Sequence, residues 1–253
     1  MDLQTAIENY LRRHNLAALD PRAVLFDMDG VLYDSMPFHA ISWEQTVSEL
    51  GIPCTRDEFY LYEGQTGRQT ISQMFERGFG RPSTDEENRR VYHRKTELFN
   101  ACGQAPVMPG AAEALSLTKQ AGLEPVLVTG SGQASLLDKL EHNFPGIFRT
   151  DRMVTAHDVV NGKPAPEPYL RGLCKVGLRP EQAVVVENAP LGCRAASSAG
   201  IFTIAVNTGP MPDKVLYDEG ADIVLADMQE LAARFDEILH TLRTCKPSSS
   251  PTA

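Results

Sequence analysis

From residue 106 onward the chain keeps one rhythm. Short runs rich in Val, Ile and Leu alternate with stretches whose apolar residues recur every three or four positions. The runs fall at 124–129, 152–154, 183–186, 201–206 and 222–225, and helical spacing occupies 111–121, 169–176 and 191–199 between them. These runs are apolar almost throughout, as strands covered on both faces are. A strand that reaches the next strand through a helix returns parallel to the first, so the rhythm predicts an α/β fold. The expected core is a Rossmann-like parallel sheet with helices on both sides.

One further run, Ala23-Val24-Leu25-Phe26, belongs to the same sheet but stands well apart from the others. The segment 35–105 that separates them carries no convincing strand. Phe38, Ile41, Trp43, Val47 and Leu50 follow helical intervals, Ile71, Met74 and Phe75 mark a second helix, and DEENRRVYHRKTELF a third. An all-helical cap domain is therefore expected to interrupt the sheet domain after its first strand. The boundaries read as a helical extension at 1–20, a core at 21–34 and 106–242, the cap at 35–105, and a Pro- and Ser-rich tail at 243–253 without fixed structure.

Composition removes several alternatives. A net charge of −9 argues against a nucleic-acid partner, whose phosphates attract basic surfaces. No apolar run approaches the ~20 residues of a membrane span, and the first residues lack the plan of a signal peptide. The five cysteines form no CxxC pair and are odd in number, which fits reduced thiols and a cytoplasmic setting. Nothing in the sequence fixes an oligomeric state, and a monomer is the expectation.

Open α/β sheets bind ligands beyond the carboxyl ends of their strands. At those ends this sequence sets Asp27 and Asp29, then Thr129-Gly130-Ser131, then Lys163 in the loop before a helix, then Glu187-Asn188. Two acids one residue apart at the end of an oily strand repel each other and are costly to bury unless a cation joins them. Carboxylate and carbonyl oxygens suit Mg2+. A hydroxyl and backbone N–H groups at a helix start suit phosphate, and a lysine adds positive charge for the same anion. Phosphoryl transfer asks for little beyond such positioning, neutralisation and a nucleophile, which an Asp can be.

In that order and spacing, FDMDGVLYDS, VTGS, GKPAPEPY and VVVENAPLG resemble the four motifs of the haloacid dehalogenase superfamily, over about residues 22–226. The nearest likeness is to its β-phosphoglucomutase-like branch with a helical cap. The resemblance implies Asp27 as nucleophile and Mg2+ ligand, and the Asp29 carbonyl as a second ligand. It makes the Asp29 side chain the general acid and base, Thr129 and Lys163 the groups that hold and neutralise the phosphoryl, and Glu187 and Asn188 the rest of the metal site. It places His39, Gly64, Thr66, Arg68, Gly130 and Ser131 around the substrate. On this reading Asp27 is held ionised by the metal and Lys163, while Asp29 is free to carry a proton.

Two departures matter. The last motif usually ends in Glu-Asp, whereas Asn188 offers an oxygen with one negative charge fewer. Mutase relatives carry a lysine after the Ser of the second motif, where this chain has Gly132. The first reading is a Mg2+-dependent phosphatase for a small phosphorylated metabolite, with a sugar phosphate first in mind. The alternatives are a sugar phosphomutase using the same residues and a catalytically weak binding protein prompted by Asn188. Dehalogenation is disfavoured because dehalogenating relatives lack the second aspartate. A dinucleotide turn at Gly130-Ser131-Gly132 lacks its third glycine, since Ser135 stands there.

Overall fold

In the computed structural model, which describes residues 2–132 and 134–247, six parallel strands form one sheet in the order β3-β2-β1-β4-β5-β6. The chain runs α1 (Leu3–Arg13), β1 (Ala23–Phe26), then four helices in succession, α2 (Met36–Glu49), α3 (Glu58–Leu61), α4 (Gly67–Phe79) and α5 (Asp85–Ala101). It returns through α6 (Ala111–Gln120), β2 (Glu124–Val128), the short α7 (Ala134–Leu137) and α8 (Leu140–Asn143), and β3 (Met153–Val154). Then come α9 (Glu167–Val176), β4 (Ala183–Glu187), α10 (Pro190–Ser198), β5 (Phe202–Val206), α11 (Asp213–Asp218), β6 (Ile223–Leu225), α12 (Met228–Ala233) and α13 (Phe235–Thr244). The order reverses between β1 and β4, the point where such sheets open a crevice.

The strands read as unbroken apolar runs because both faces are covered. Successive side chains point to opposite faces. Leu25, Val126, Val128 and Val185 pack with Tyr169 and Leu173 of α9 on one side. Val24, Phe26, Leu127, Val184 and Val186 pack with Ile7 and Leu11 of α1, Leu115 of α6 and Ile238 of α13 on the other. The N-terminal helix is thus part of the main core, with the Tyr10 hydroxyl donating to the Gly200 carbonyl at 2.7 Å.

The ending differs from the expectation. The final helix continues through Thr244, because Phe235, Ile238, Leu239 and Leu242 keep helical spacing and bury in the main core. Residues 248–253 of the expected tail lie outside the described residues.

Helices α2 to α5 gather their own apolar centre from Ala40, Trp43, Val47, Ile52, Phe59, Ile71, Met74, Phe75 and Val91. Both α4 and α5 start with a capping box, Thr66 with Gln69 and Thr84 with Glu87, which satisfies N–H groups otherwise left bare. This helical insert joins the sheet through two adjacent chains. Asp34 N–H donates to the Pro106 carbonyl at 2.9 Å, and Met108 N–H to the Leu32 carbonyl at 2.9 Å. Among the described residues no helix is long and apolar enough to cross a membrane.

Candidate active site

The register pairs Phe26 with both Leu127 and Val186, so Asp27 emerges beside Glu187, with Thr129 just beyond the end of β2. Lys163 arrives from the loop before α9. It is fully buried, and its ammonium donates to Asp27 Oδ1 at 2.5 Å, to Glu187 Oε1 at 2.6 Å and to the Val128 carbonyl at 3.1 Å. Burial pushes the Asp27 carboxyl up, against the pull of Lys163, and the nearby Glu187 and Asp29 push it further. Burial alone would lower Lys163, but the two carboxylates outweigh it and hold the ammonium charged.

Asp29 is engaged differently from the expectation that it stands free to carry a proton. Its Oδ1 accepts from the Ser35 hydroxyl at 2.6 Å and from His39 Nε2 at 3.0 Å. Burial works to raise this carboxyl, yet His39, Ser35 and Lys95 together hold it below the usual carboxylate range. Lys95 Nζ lies 2.8 Å from His39 Nδ1. A carboxylate only accepts and an ammonium only donates, so with Lys95 charged the neighbours favour a neutral imidazole with its proton on Nε2. The chain of donors runs Lys95, His39, Asp29. Burial lowers His39, with Lys95 adding to the effect, and burial lowers Lys95 to about 7.

Lys95 was not foreseen. Its signal was present: Val91, Lys95 and Phe99 fall four residues apart on α5, and all three are buried. A lysine on the apolar stripe of a helix reads as a group with work inside. Tyr169, whose hydroxyl donates to Glu187 Oε1 at 2.8 Å, was likewise seen only as part of a motif.

Asp27, Asp29, His39, Gly64, Thr129, Gly130 and Ser131 line one cavity under the insert, together with Trp43, Glu63 and Lys95. Thr129 Oγ1 accepts from the Ser131 N–H at 3.0 Å, a turn that starts the chain away from β2. Gly130 is required by a close approach, since a Cβ there would sit 2.2 Å from the Gly64 carbonyl oxygen. Core and insert touch at this point, and only about 50 Å³ of free space is left beneath them. That holds an ion or a few waters, whereas small-molecule pockets span about 300–1,000 Å³.

Two expected substrate residues are not in this cavity. Thr66 spends its hydroxyl on capping α4. Arg68 is 71% exposed, pairs with Asp85 at 2.7 Å, and lines a separate cleft with Thr66, Gly132 and His157. One residue past the end of a loop, the helix turns its side chain outward.

The expected metal ligands divide. Glu187 is occupied elsewhere. Oε1 accepts from Lys163 and Tyr169, and Oε2 from the backbone N–H groups of Asn188 at 2.9 Å and Ala189 at 3.1 Å. Asn188 Nδ2 donates to Glu63 Oε1 at 2.8 Å, while its Oδ1 is buried without a hydrogen-bond partner. An unsatisfied buried oxygen at the same strand ends as Asp27 and Asp29 fits a small hard cation. Burial drives the Glu63 carboxyl well up; the Asn188 bond opposes this, and Asp27, Glu187 and Asp29 add to it.

A parallel sheet with an aspartate, a lysine and a threonine gathered at its switch point, covered by a helical insert, defines a phosphoryl-transfer class of α/β enzyme. The chain belongs to the haloacid dehalogenase-like hydrolase family, whose model matches residues 24–206. It is similar to a phosphorylated carbohydrates phosphatase of Thermotoga maritima, 32% identical over 86% of this chain and 99% of the relative. It is also similar to a beta-phosphoglucomutase of Bacillus subtilis, 26% identical over 87% of this chain and 94% of that protein. The solved structure of a candidate beta-phosphoglucomutase from Bacteroides vulgatus superposes with a TM-score of 0.92, at 50% identity, covering 95% of this chain and 98% of that one. The fold expected from the strand rhythm and the expectation of a phosphohydrolase both agree with these relatives.

Proposed function

We propose that the chain is a Mg2+-dependent phosphatase for a small phosphorylated metabolite, with sugar phosphates the foremost class, working through an aspartyl phosphate on Asp27. The observation that carries this reading is the fully buried Lys163 at 2.5 Å from Oδ1 of Asp27, which lines a cavity together with Thr129. The lysine pulls the Asp27 carboxyl toward the charged form that attacks phosphorus, and then neutralises the phosphoryl oxygens. Similarity to a carbohydrate phosphatase supports the substrate class.

Asp27, Asn188 through Oδ1 and the carbonyl of Asp29 would hold the Mg2+, which when bound would shield charge between nucleophile and phosphoryl group. In the first step an Asp27 oxygen bonds to phosphorus, the bond to the leaving oxygen breaks, and protonated Asp29 gives that oxygen its proton. In the second step water attacks phosphorus, the bond to Asp27 breaks, and Asp29 takes the proton back. The charged Asp29 held by Ser35 and His39 is the form this second step uses. Since the free space is about 50 Å³, the insert opens to admit substrate and closes for chemistry.

The tight closure also favours a second reading, a sugar phosphomutase, in which a sugar hydroxyl replaces water. Gly132, where mutases bring a lysine, favours hydrolysis. The test is a panel of phosphorylated metabolites assayed for phosphate release with Mg2+ and with chelator. Mg2+-dependent release that Asp27→Asn abolishes supports the phosphatase. No release, with conversion of β-glucose 1-phosphate to the 6-phosphate under a bisphosphate primer, selects the mutase. Full turnover in Asp27→Asn removes both.

A further inference from the structure

Glu63 is a carboxylate that the reading above does not use. It lies between α3 and α4 of the insert, is only 7% exposed, and reaches the strand ends of the sheet. There its Oε1 accepts from Asn188 Nδ2 at 2.8 Å. The same spot is kept open by Gly30, which has φ +77°; a Cβ there would stand 2.0 Å from Asn188 Nδ2 and 3.2 Å from Glu63 Oε1. An ionised Glu63 only accepts, and the amide turns its nitrogen to it. That orientation leaves Asn188 Oδ1 buried among the strand ends with no hydrogen-bond partner.

The charges sharpen the point. The buried groups around the cavity are Asp27, Asp29, Glu63 and Glu187 against Lys95 and Lys163, with His39 neutral. With every group charged the balance is four negative against two positive; burial pulls Asp27 and Glu63 toward their neutral forms, and a divalent cation placed among them favours the ionised ones. Asn188 gives no charge to this sum, and Glu63 stands next to it.

We infer that Glu63 is a positioning residue of the cation site. Carried in by the insert, it turns the Asn188 oxygen toward a divalent ion and supplies the negative charge that Asn188 itself lacks. Metal binding and closure of the insert are thereby linked: each favours the other by the same factor. This rests on the metal-dependent reading above, and the experiment separates the two.

Mg2+ binding is measured by calorimetry on the whole chain without substrate. Emission from Trp43, the single tryptophan and a wall of the cavity, is followed in the same titration. The variants are Glu63→Gln, which keeps an acceptor for Asn188 Nδ2, and Glu63→Gln combined with Asn188→Asp. The double change is used because Asn188→Asp alone would set two carboxylates against each other. In the wild type Mg2+ binds and shifts the Trp43 emission. Glu63→Gln weakens binding by about tenfold or more, the scale of lost supporting contacts at a metal site. The double variant restores affinity to within about threefold, since charge returns to position 188, but the Trp43 response stays lost. Unchanged affinity in Glu63→Gln overturns the inference and leaves the metal reading intact. So does a loss that the double variant fails to restore. A wild type that binds no Mg2+ overturns both. Should Glu63→Gln not fold, Glu63→Asp keeps the charge, shortens the reach, and is judged on the same two measurements.

Discussion

Lys163 is the member of the site whose loss has the most calculable effect. Its side chain is fully buried and answers two carboxylates, Asp27 at 2.5 Å and Glu187 at 2.6 Å. Lys163→Met keeps most of the volume and removes the charge. Breaking a buried pair by deleting one partner costs about 3–5 kcal/mol, because the other charge is left uncompensated. For a chain of this size each kcal/mol moves Tm by about 2–4 °C, so in the presence of EDTA the variant melts lower by up to roughly 6–20 °C as pH rises above about 8. The pH sign follows from Asp27. Its folded carboxyl is raised, so folding binds a proton there, and stability declines as pH climbs from the unfolded value toward the folded one, about 8. Without the lysine that folded value climbs further and the decline continues to higher pH. Both proteins lose this stability alike up to about pH 8, so the deficit of the variant grows above pH 8, where the wild type has levelled off and the variant has not. Paired urea melts at about pH 7 and about pH 9.5 measure it. A deficit below about 1 kcal/mol at the higher pH, or the same deficit at both pH values, refutes the reasoning.

Two further outcomes are expected. Arg68→Ala leaves kcat/KM for the best substrate of the panel within about threefold, because its guanidinium faces solvent and an exposed pair of this kind contributes little. A loss beyond tenfold would return Arg68 to the substrate. Gly130→Ala lowers kcat/KM about tenfold or more while the melting temperature stays within a few degrees, since its Cβ would meet the Gly64 carbonyl at 2.2 Å and keep the insert from seating. Equal turnover in this variant would show that closure does not need that contact.

Most of the fold could be read from the chain because a parallel sheet covered on both faces writes itself as apolar runs, and the turns after those runs fall at one edge by topology alone. That is why Asp27, Thr129, Lys163, Glu187 and Asn188 could be placed together from sequence. Contacts across the cavity were not legible. Glu63 sits in the aromatic tract Phe59-Tyr60-Leu61-Tyr62, and nothing in its neighbours says that the chain folds it back to Asn188. Lys95 was hidden in a polar run whose apolar stripe shows only when every fourth residue is compared. Arg68 was misplaced for the opposite reason. Its motif spacing was right, but the direction a side chain takes in the first turn of α4 depends on the cap formed by Thr66.

The chain enters and leaves the insert side by side, Leu32 to Asp34 bonded alongside Pro106 to Met108. A body anchored so behaves as a lever with one pivot, and displacement grows with distance from it. Ser35 and His39 follow the pivot within a turn or so and travel a short arc, staying by Asp29. Glu63 and Gly64 come only after α2 and α3, with two helices between them and the pivot. Any swing about that pivot has to part Glu63 from Asn188 and Gly64 from Gly130, whereas Ser35 and His39 sit close enough to it to stay with Asp29.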